Sequence, residues 1–431
     1  MGRLNVVVLG LDEENLALLR RVPDAHRYEF HGLLTIGELQ QGDEIPVDDL
    51  LREAESRLAA FDGPIDAIVG FWDFPVSTLV PVLCSRFGLR GASLESVLRC
   101  EHKYWSRLIQ REVIDEYPPF APVDLDEPRP PAEVGYPMWL KPVKSFSSRL
   151  AFEVTDDDEF AAAVAELRDG VGRVGEPFEY LLEMVDLPPE VADAGGQAAL
   201  AERALSGNRA AVEGYVQNGR VVVYGVLDSL IYPGVSSFLR HQYPSQLPES
   251  MRDRLVDVSQ RLMRKVGFED ATFSIEFFCD PDTGEVNVLE VNPRHSQAHA
   301  DLFEQVDGFP NHHYMIKVAL GEDPGPPRQG PYRISARWYL RRFSDGVLRR
   351  GPAPEEIAAV ENELDGVRVQ RVAPDGVRLS DLPGHDSYSY ELAEIIVGAA
   401  DPDELQDKYD RCVAALPFEF EDEGDAEEGV A

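Results

Sequence analysis

The sequence predicts an α/β protein with an N-terminal parallel α/β domain, a central α+β domain and a β-rich C-terminal domain. Two observations carry this prediction. Short apolar runs alternate with amphipathic helical segments at the start of the chain, which is typical of a parallel sheet. From about residue 324 a linker-like stretch, EDPGPPRQGP, separates this pattern from strand-like segments. With 431 residues, of which 44% are apolar, the chain is long enough for two or three domains.

The domain boundaries follow from these changes in pattern. The predicted regions are an N-terminal α/β domain at residues 1–97, a central domain at 98–325, a C-terminal domain at 326–417 and an acidic, disordered tail at 418–431. Within the central domain we predict strands at residues 138–141, 151–154 and 180–185, and a hairpin around Asn218-Gly219.

Charge and composition exclude several classes of protein. The formal net charge is −37, which argues against binding to nucleic acid and to anionic membranes. No apolar run approaches the length of a membrane span, and the N-terminus reads as a first strand and not as a signal peptide. The four cysteines are widely scattered without metal-type spacing, so we expect reduced thiols and a cytoplasmic protein.

The most informative segment is residues 273–294, FSIEFFCDPDTGEVNVLEVNPR. Two apolar runs flank the turn sequence DPDTG, which predicts a β-hairpin. Side chains alternate across a strand, so Glu290 and Asn292 share a face, and Glu276 can join them from the neighbouring strand. Two carboxylates and an amide, followed by Arg294, suit a magnesium–nucleotide site. The alternative is an ordinary hairpin with its polar face in water, which the apolar surroundings of both glutamates disfavour.

This hairpin resembles the metal-binding end of the ATP-grasp fold, the family of biotin carboxylases, D-alanine–D-alanine ligases and amino-acid ligases. In that family an E…E-x-N motif holds two magnesium ions against the ATP phosphates. The resemblance therefore implies an ATP-grasp fold, with ATP and Mg²⁺ (or Mn²⁺) as cofactors. It also implies a Rossmann-like domain at residues 1–97 and a mobile small subdomain at about residues 120–185 of the central domain. Glu276, Glu290 and Asn292 match the metal ligands. Arg294 falls where the biotin carboxylases have their substrate-facing arginine.

The resemblance also implies which residues contact the nucleotide. Lys103 resembles the lysine on the helix that enters the ATP-grasp domain, and Lys141 resembles the strand lysine that meets the phosphates. Ser145, Ser147 and Ser148 lie in the segment that matches the phosphate-covering loop, where many members have glycines. The alternatives are a surface lysine at a strand end for Lys141 and a polar hairpin turn for the serine segment.

Two further matches concern acidic residues. Glu183 matches the strand-end glutamate of the adenine-binding hinge, so the backbone of Met184 and Val185 would read the adenine edge. Glu213 matches an acidic position near the phosphates in carboxylase-type members, and a buried, paired structural glutamate is the alternative. In the N-terminal region Asp73 either lines the acceptor-substrate pocket or serves as a helix N-cap or turn residue.

The family chemistry implies the reaction. A carboxylate attacks the γ-phosphate to give an acylphosphate and ADP, and an amine then displaces the phosphate. Arg294 is assigned to the substrate carboxylate and Lys141 to the phosphates, and together they form the predicted catalytic pair. The leading hypothesis is an ATP-dependent ligase that forms an amide or peptide bond. The predicted partners are small carboxylate and amine substrates. The oligomeric state stays open, although members of the family often form homodimers.

Two departures count against biotin carboxylation. The position of the carboxylase glutamate that activates bicarbonate is Ala298, and an expected lysine position in LRHQYP is Tyr243. Alanine cannot act as a base. A relative that acts on bicarbonate or formate, and a non-catalytic ATP-binding protein, are kept as the other hypotheses.

Overall fold

The computed structural model describes residues 2–40, 45–145, 150–382 and 388–421. They form two units. Unit 1 comprises Met1–Val226, Leu247–Ala298 and Asn311–Pro326, and unit 2 comprises Leu227–Gln246, His299–Pro310 and Pro327–Ala431. The end of unit 1 at Pro326 lies close to the predicted C-terminal boundary, whereas the predicted boundary at residue 97 does not separate the two units.

Helices and strands alternate along most of the chain. The helices are α1 (Glu13–Leu19), α2 (Ile36–Gln40), α3 (Val47–Ala59), α4 (Val76–Phe87), α5 (Leu94–Glu101), α6 (Lys103–Val113), α7 (Asp157–Gly170), α8 (Gly172–Leu182), α9 (Pro189–Ala194), α10 (Glu249–Val266), α11 (Ala300–Asp307), α12 (His312–Ala319), α13 (Pro354–Glu363) and α14 (Pro402–Ala415). The strands are β1 (Leu4–Leu9), β2 (Tyr28–Leu33), β3 (Ala67–Val69), β4 (Phe120–Val123), β5 (Met138–Pro142), β6 (Phe152–Val154), β7 (Ala199–Arg203), β8 (Asn208–Gln217), β9 (Arg220–Ile231), β10 (Phe238–Tyr243), β11 (Ala271–Asp280), β12 (Glu285–Asn292), β13 (Ile334–Arg342), β14 (Leu348–Arg350), β15 (Val367–Arg371), β16 (Tyr390–Ala399) and β17 (Glu419–Phe420).

Unit 1 begins with the parallel sheet that the sequence predicts. Its strand order is β2-β1-β3, and both pairings are parallel. Val6 and Val8 on one face of the central strand and Val7 on the other are buried, as expected for a strand that is covered on both faces. The carboxyl ends of β1 and β3 lie at the same edge, where open parallel sheets commonly bind ligands. Asp73 follows β3 at this edge.

A small antiparallel sheet follows in unit 1, with strand order β4-β7-β5-β6. The predicted strand at residues 180–185 is wrong, because these residues end helix α8 and continue into a turn. Phe178, Leu181 and Leu182 are buried, and their spacing of three and four residues is helical. The strand that pairs with β5 is instead β7, for which the sequence analysis predicts no strand.

Long strands complete unit 1 in the order β12-β11-β8-β9, and β9 continues into unit 2. Asn218 and Gly219 join β8 to β9 with φ values of 53° and 71°. Two consecutive positive φ values define the type I′ turn that Asn-Gly predicts, so this hairpin is confirmed. Among the described residues, no helix combines the length and the apolar character needed to cross a lipid bilayer.

Unit 2 is rich in strands, as predicted for the C-terminal region. Its sheet has the order β10-β13-β16-β15, and its core includes Trp338, Ile395 and Cys412. Glu419 and Phe420 form β17 and pair with β14, so the prediction of a disordered tail from residue 418 is wrong at these two positions. The rest of the tail, residues 422–431, lies outside the described residues.

Candidate active site

The hairpin of β11 and β12 brings the three predicted metal ligands together. Glu276 lies directly opposite Glu290 in the antiparallel register, and Ser274 lies opposite Asn292. The Asn292 Nδ2 donates to Glu276 Oε1 at 3.2 Å. Residues opposite each other on neighbouring strands have their Cβ atoms about 5 Å apart, so both carboxylates can reach one ion. The predicted hairpin is confirmed, and its polar residues share one face.

The two glutamates have different proton affinities. Burial raises the pKa of Glu276, the charge of Glu290 raises it further, and Arg294 only partly opposes them. Burial also acts to raise the pKa of Glu290, but the nearby Lys103, Lys141 and Lys144 outweigh it and lower this pKa. Two facing carboxylates with such different environments favour the arrival of a cation, which would keep both ionised.

The donor chemistry fits magnesium or manganese. No group of three His, Cys, Asp or Glu side chains suited to a metal occurs in the described residues, so a site made only of protein side chains is not formed there. Magnesium needs no such cage, because it is usually held by one or two carboxylates together with substrate phosphates and water. Glu276, Glu290 and the amide oxygen of Asn292 supply that kind of partial set.

Lys103 connects the hairpin to the segment after β5. Its Nζ donates to Glu290 Oε1 at 2.6 Å and to the Ser145 carbonyl at 3.2 Å. Its backbone N–H donates to the Val143 carbonyl at 2.8 Å. His102 caps α6 by accepting from the Trp105 N–H. Burial lowers the pKa of His102 to about 4, so this capping ring is neutral at physiological pH.

Lys141 is buried beside a carboxylate that the sequence analysis missed. Its Nζ lies 2.7 Å from Glu202 Oε2, and Glu202 Oε1 accepts from Arg107 Nε at 2.7 Å. Burial lowers the pKa of Lys141, and Arg107 and Lys103 add to this effect against the attraction of Glu202. Burial would raise the pKa of Glu202, but Arg107 and Lys141 together lower it to about 2. One carboxylate thus lies between two cations.

Lys144 forms another buried pair that the sequence analysis missed. Its Nζ lies 2.6 Å from Glu101 Oε2, and both side chains are 5% exposed. The same ammonium lies 5.2 Å and 5.4 Å from the ring centroids of Phe74 and Phe178. Because partners such as Glu101 and Lys144 are 43 positions apart, no local sequence pattern could have revealed the pair.

The predicted loop and hinge residues have different outcomes. Ser145 is buried, and its carbonyl is held by Lys103. Ser147 and Ser148 lie outside the described residues. Glu183 is an exposed C-cap of α8, and Met184 is 37% exposed. The prediction that Glu183 ends a strand and that Met184 and Val185 follow it as a hinge is wrong, because the local apolar period is helical.

Glu213 is a fully buried residue beneath the loop that follows β12. Its Oε2 accepts from the Tyr224 hydroxyl at 2.8 Å and from Asn311 Nδ2 at 2.9 Å, and its Oε1 accepts from the Ser296 N–H at 3.0 Å. Asn311 also donates to the Ser296 carbonyl at 2.8 Å. These contacts favour the structural alternative, in which Glu213 holds the loop beyond Arg294 in place.

Arg294 is held at the edge of the N-terminal sheet. Its Nε and Nη2 lie 2.8 Å and 2.6 Å from Asp73 Oδ1, and its side chain is 14% exposed. Burial lowers the pKa of Arg294, but Asp73, Glu276 and Glu290 outweigh it, so the net shift is upward and the guanidinium stays charged. Asp73 remains 36% exposed, so a ligand can approach the pair from its side.

A one-directional chain of hydrogen bonds anchors the residue after Arg294. Asn15 Nδ2 donates to Asp12 Oδ2, so Asn15 Oδ1 is the acceptor for His312 Nε2 at 3.0 Å. With neutral rings, His312 Nδ1 then accepts from His295 Nε2 at 2.7 Å. His295 Nδ1 in turn accepts from the Thr272 hydroxyl at 3.1 Å. Both histidines are fully buried, and the chain fixes their tautomers.

Comparisons with known proteins agree with this arrangement. A family model described as an ATP-grasp domain matches residues 134–300. Among curated proteins, the carbamoyl phosphate synthase large chains of Xylella fastidiosa and Halomonas eurihalina are 38% and 37% identical over 79 residues. That stretch is 18% of this chain and only 7% of the length of each relative.

The similarity to solved structures extends over nearly the whole chain. An L-amino acid ligase from Bacillus licheniformis has a TM-score of 0.71 at 17% identity and covers 98% of this chain and 100% of its own. A phosphoribosylglycinamide synthetase from Anaerococcus prevotii has a TM-score of 0.65 at 12% identity, with coverages of 97% and 100%. A biotin carboxylase–β,γ-ATP complex from Campylobacter jejuni has a TM-score of 0.62 at 15% identity, with coverages of 96% and 92%. The family model therefore identifies residues 134–300 as an ATP-grasp domain, and the solved structures share the fold over nearly the whole chain.

Proposed function

We propose that this chain is an ATP-dependent carboxylate–amine ligase that forms an amide or peptide bond through an acylphosphate. The observation that carries the proposal is the position of Arg294, two residues beyond Asn292 and within the electrostatic reach of Glu276 and Glu290. A guanidinium beside a phosphate-binding site can hold a substrate carboxylate where the γ-phosphate is transferred. The similarity to an L-amino acid ligase over the full length supports this choice within the superfamily.

The nucleotide would be held by the buried cations of unit 1. Lys103 and Lys141 contact the phosphates in this proposal, and both lose part of their bonding to protein carboxylates when they do so. The adenine-hinge glutamate that the sequence analysis placed at Glu183 is instead assigned to Glu202, because Glu202 lies on β7, the strand that pairs with the strand of Lys141. The backbone that follows Glu202 would then read the adenine edge.

Glu276, Glu290 and Asn292 would bind magnesium, or manganese in its place. Such an ion would supply positive charge at the transferring phosphate. Lys103 Nζ lies 2.6 Å from Glu290 Oε1, so Lys103 would be free to contact the phosphates when Glu290 serves as a metal ligand. Glu276 would gain most, because burial disfavours its ionised form.

Substrate orientation is assigned to Arg294 and Asp73. The planar fork of Arg294 suits a carboxylate and the tetrahedral centre that develops from it. Asp73 holds the Nε edge of that fork and so fixes its orientation. The amine must lose a proton before it attacks, and phosphate leaves as the new carbon–nitrogen bond forms.

The two positions at which this chain differs from the biotin carboxylases do not support the carboxylase alternative. Ala298 offers no base. Tyr243 is a buried residue that donates to Asp307 Oδ2 at 3.0 Å, so it has a structural partner and cannot supply a lysine charge.

A homodimeric cytoplasmic enzyme is part of the proposal, and light scattering of the purified chain would measure its mass in solution.

The test is magnesium-dependent ADP release, screened over amino acids singly, in pairs and together with simple primary amines, with bicarbonate plus biotin as a comparison. A condensed product, identified by mass, is expected with one combination of carboxylic acid and amine. Glu290→Gln should lower turnover by more than about 100-fold, because it removes a ligand charge at the transferring phosphate. Glu285→Gln is the matched control, since Glu285 lies exposed at the other end of β12. Unchanged turnover in Glu290→Gln would refute the metal assignment.

A further inference from the structure

A cavity of about 60 Å³ lies in unit 1 at the carboxyl end of β3. Its walls come from β3, α4, the start of β11 and α12, and it reaches Pro293 and Arg294. Most of the lining is apolar, including Val69, Val80 and Met315. A volume of this size admits a ligand of only a few heavy atoms, or a small number of water molecules.

Two buried polar atoms in the lining have no hydrogen-bond partner among the residues that the structure describes. One is the hydroxyl of Ser77, a residue that is 8% exposed, and the other is Oδ1 of Asp270. The second oxygen of Asp270 accepts from Arg90 at 3.2 Å, so the carboxylate is fixed in orientation. Buried polar atoms without a partner are rare, and each calls for a ligand, an ion or an ordered water.

Thr272 adds a third acceptor to the lining. The hydrogen-bond chain from Asn15 assigns its hydroxyl hydrogen to His295 Nδ1. The oxygen of Thr272 also accepts from the His295 N–H at 3.3 Å, so one lone pair remains for a ligand in the cavity. Asp270 is likewise an acceptor, and Ser77 can act as one. The two lining atoms without a partner, Asp270 Oδ1 and the Ser77 hydroxyl, therefore favour a ligand that donates hydrogen bonds.

We infer that this cavity binds the ammonium group of a small primary amine. A primary ammonium has three N–H donors, which matches Asp270, Ser77 and Thr272, and the apolar walls take a short alkyl group. This assignment rests on the proposed function. The amine substrate is then a simple amine, such as methylamine, bound next to Arg294.

The cavity is unsuited to an α-amino acid. Both arginines in its lining already have carboxylate partners, since Arg90 pairs with Asp270 and Arg294 pairs with Asp73. A second carboxylate inside the cavity would therefore compete with Asp270 and Asp73 for them. Burying a charge without a partner is strongly unfavourable, and this disfavours such a ligand. The small volume of the cavity also disfavours an α-amino acid.

The test measures binding of ¹³C-methylammonium to the full chain by saturation-transfer NMR, without nucleotide. We expect saturable binding that weakens from methylammonium to butylammonium as the cavity is filled. Ser77→Ala should weaken binding by about 5-fold and Asp270→Asn by about 10- to 100-fold, as for a neutral and a charged hydrogen bond. Ala319→Leu, which fills the cavity and removes no polar atom, should abolish binding.

Matched controls separate a specific site from general effects. Ser259→Ala removes a buried hydroxyl on α10 that donates to the Leu255 carbonyl, and Asp257→Asn removes an exposed charge that pairs with Arg261. Neither should alter binding. Absence of saturable binding, which would mean that the cavity holds water only, would overturn the inference. Equal losses in the controls and in Asp270→Asn would overturn it as well.

The same samples distinguish this inference from the ligase proposal. ADP formation with a pair of amino acids but without methylammonium binding would overturn the cavity assignment and keep the ligase proposal. Methylammonium binding without ADP formation under any acid and amine would leave the site standing and count against the ligase. Stimulation of acid-dependent ADP release by methylammonium chloride, but not by potassium chloride, would support both.

Discussion

Replacing Glu202 by glutamine tests how the buried charges of the site are balanced. The carboxylate of Glu202 is the shared partner of Lys141 and Arg107, at 2.7 Å from each. Arg107 also donates to the carbonyls of Val288 and Leu289, so it keeps partners when Glu202 is changed. Lys141 would lose its carboxylate while remaining buried.

The magnitude follows from the pKa of Glu202. A decrease from 4.5 to about 2 corresponds to roughly 3 kcal/mol, at about 1.4 kcal/mol for each pKa unit. Removing one partner from a buried ion pair typically costs about 3–5 kcal/mol, which agrees with this figure. Because the folded-state pKa is lowered, the contribution is present above the ordinary value of 4.5 and is lost as the pH falls toward 2.

The assay is urea unfolding followed by tryptophan fluorescence, for which Trp139 on β5 is a neighbouring probe. Glu202→Gln should lower the free energy of unfolding by about 3–5 kcal/mol at neutral pH. Glu116→Gln is the matched control. Glu116 pairs with Arg254 and Arg261, whose side chains are 44% and 38% exposed, and its loss should cost about 1 kcal/mol. A loss below about 1 kcal/mol in Glu202→Gln, or equal losses in both variants, would refute the reasoning.

Three further predictions concern separate parts of the molecule. Burial lowers the pKa of Lys141, so this side chain should lose its proton at a pH below the ordinary titration range of lysine. The affinity for ATP should therefore fall as the pH rises through that lower range. Calorimetry in two buffers would show this directly as proton uptake on ATP binding. A pH-independent affinity would contradict it. Asn15→Leu and His312→Leu should each raise the KM for the carboxylic acid by about 10-fold and leave the KM for ATP unchanged. The reason is that both substitutions interrupt the hydrogen-bond chain that anchors His295. Equal increases in the two KM values would indicate general damage instead. Thiol reagents should not label the folded protein at about pH 8, because all four cysteines are buried and burial raises the pKa of Cys84 to about 12. Fast labelling of any cysteine without denaturant would contradict this.

The hairpin of β11 and β12 could be predicted from sequence because the residues that determine it lie close together in the chain. The turn DPDTG and the strand alternation place Glu290 and Asn292 on one face, and the register then places Glu276 opposite Glu290. The Asn218-Gly219 turn was predictable for the same reason. In each case the residues that decide the structure lie within about twenty positions of one another.

The adenine-hinge assignment failed where local patterns are ambiguous. The run YLLEMV is short and apolar, and such a run fits a strand or a buried helix equally well. The run is helical because Phe178, Leu181 and Leu182 continue an apolar stripe that begins one turn earlier in α8. Glu202 was missed because its partners Arg107 and Lys141 are 95 and 61 positions away, and only the folded sheet brings them together.

Charge balance explains why this site can exist in so acidic a chain. Five cationic side chains and five carboxylates meet in it, namely Lys103, Lys141, Lys144, Arg107 and Arg294 with Glu101, Glu202, Glu276, Glu290 and Asp73. The set is formally neutral without a ligand, so it does not by itself compensate the roughly four negative charges of ATP. The elevated pKa of Glu276 indicates where added positive charge is most favourable. Divalent cations that accompany the nucleotide would therefore complete the balance of charge, and the lysines they release from glutamate would become available to phosphate.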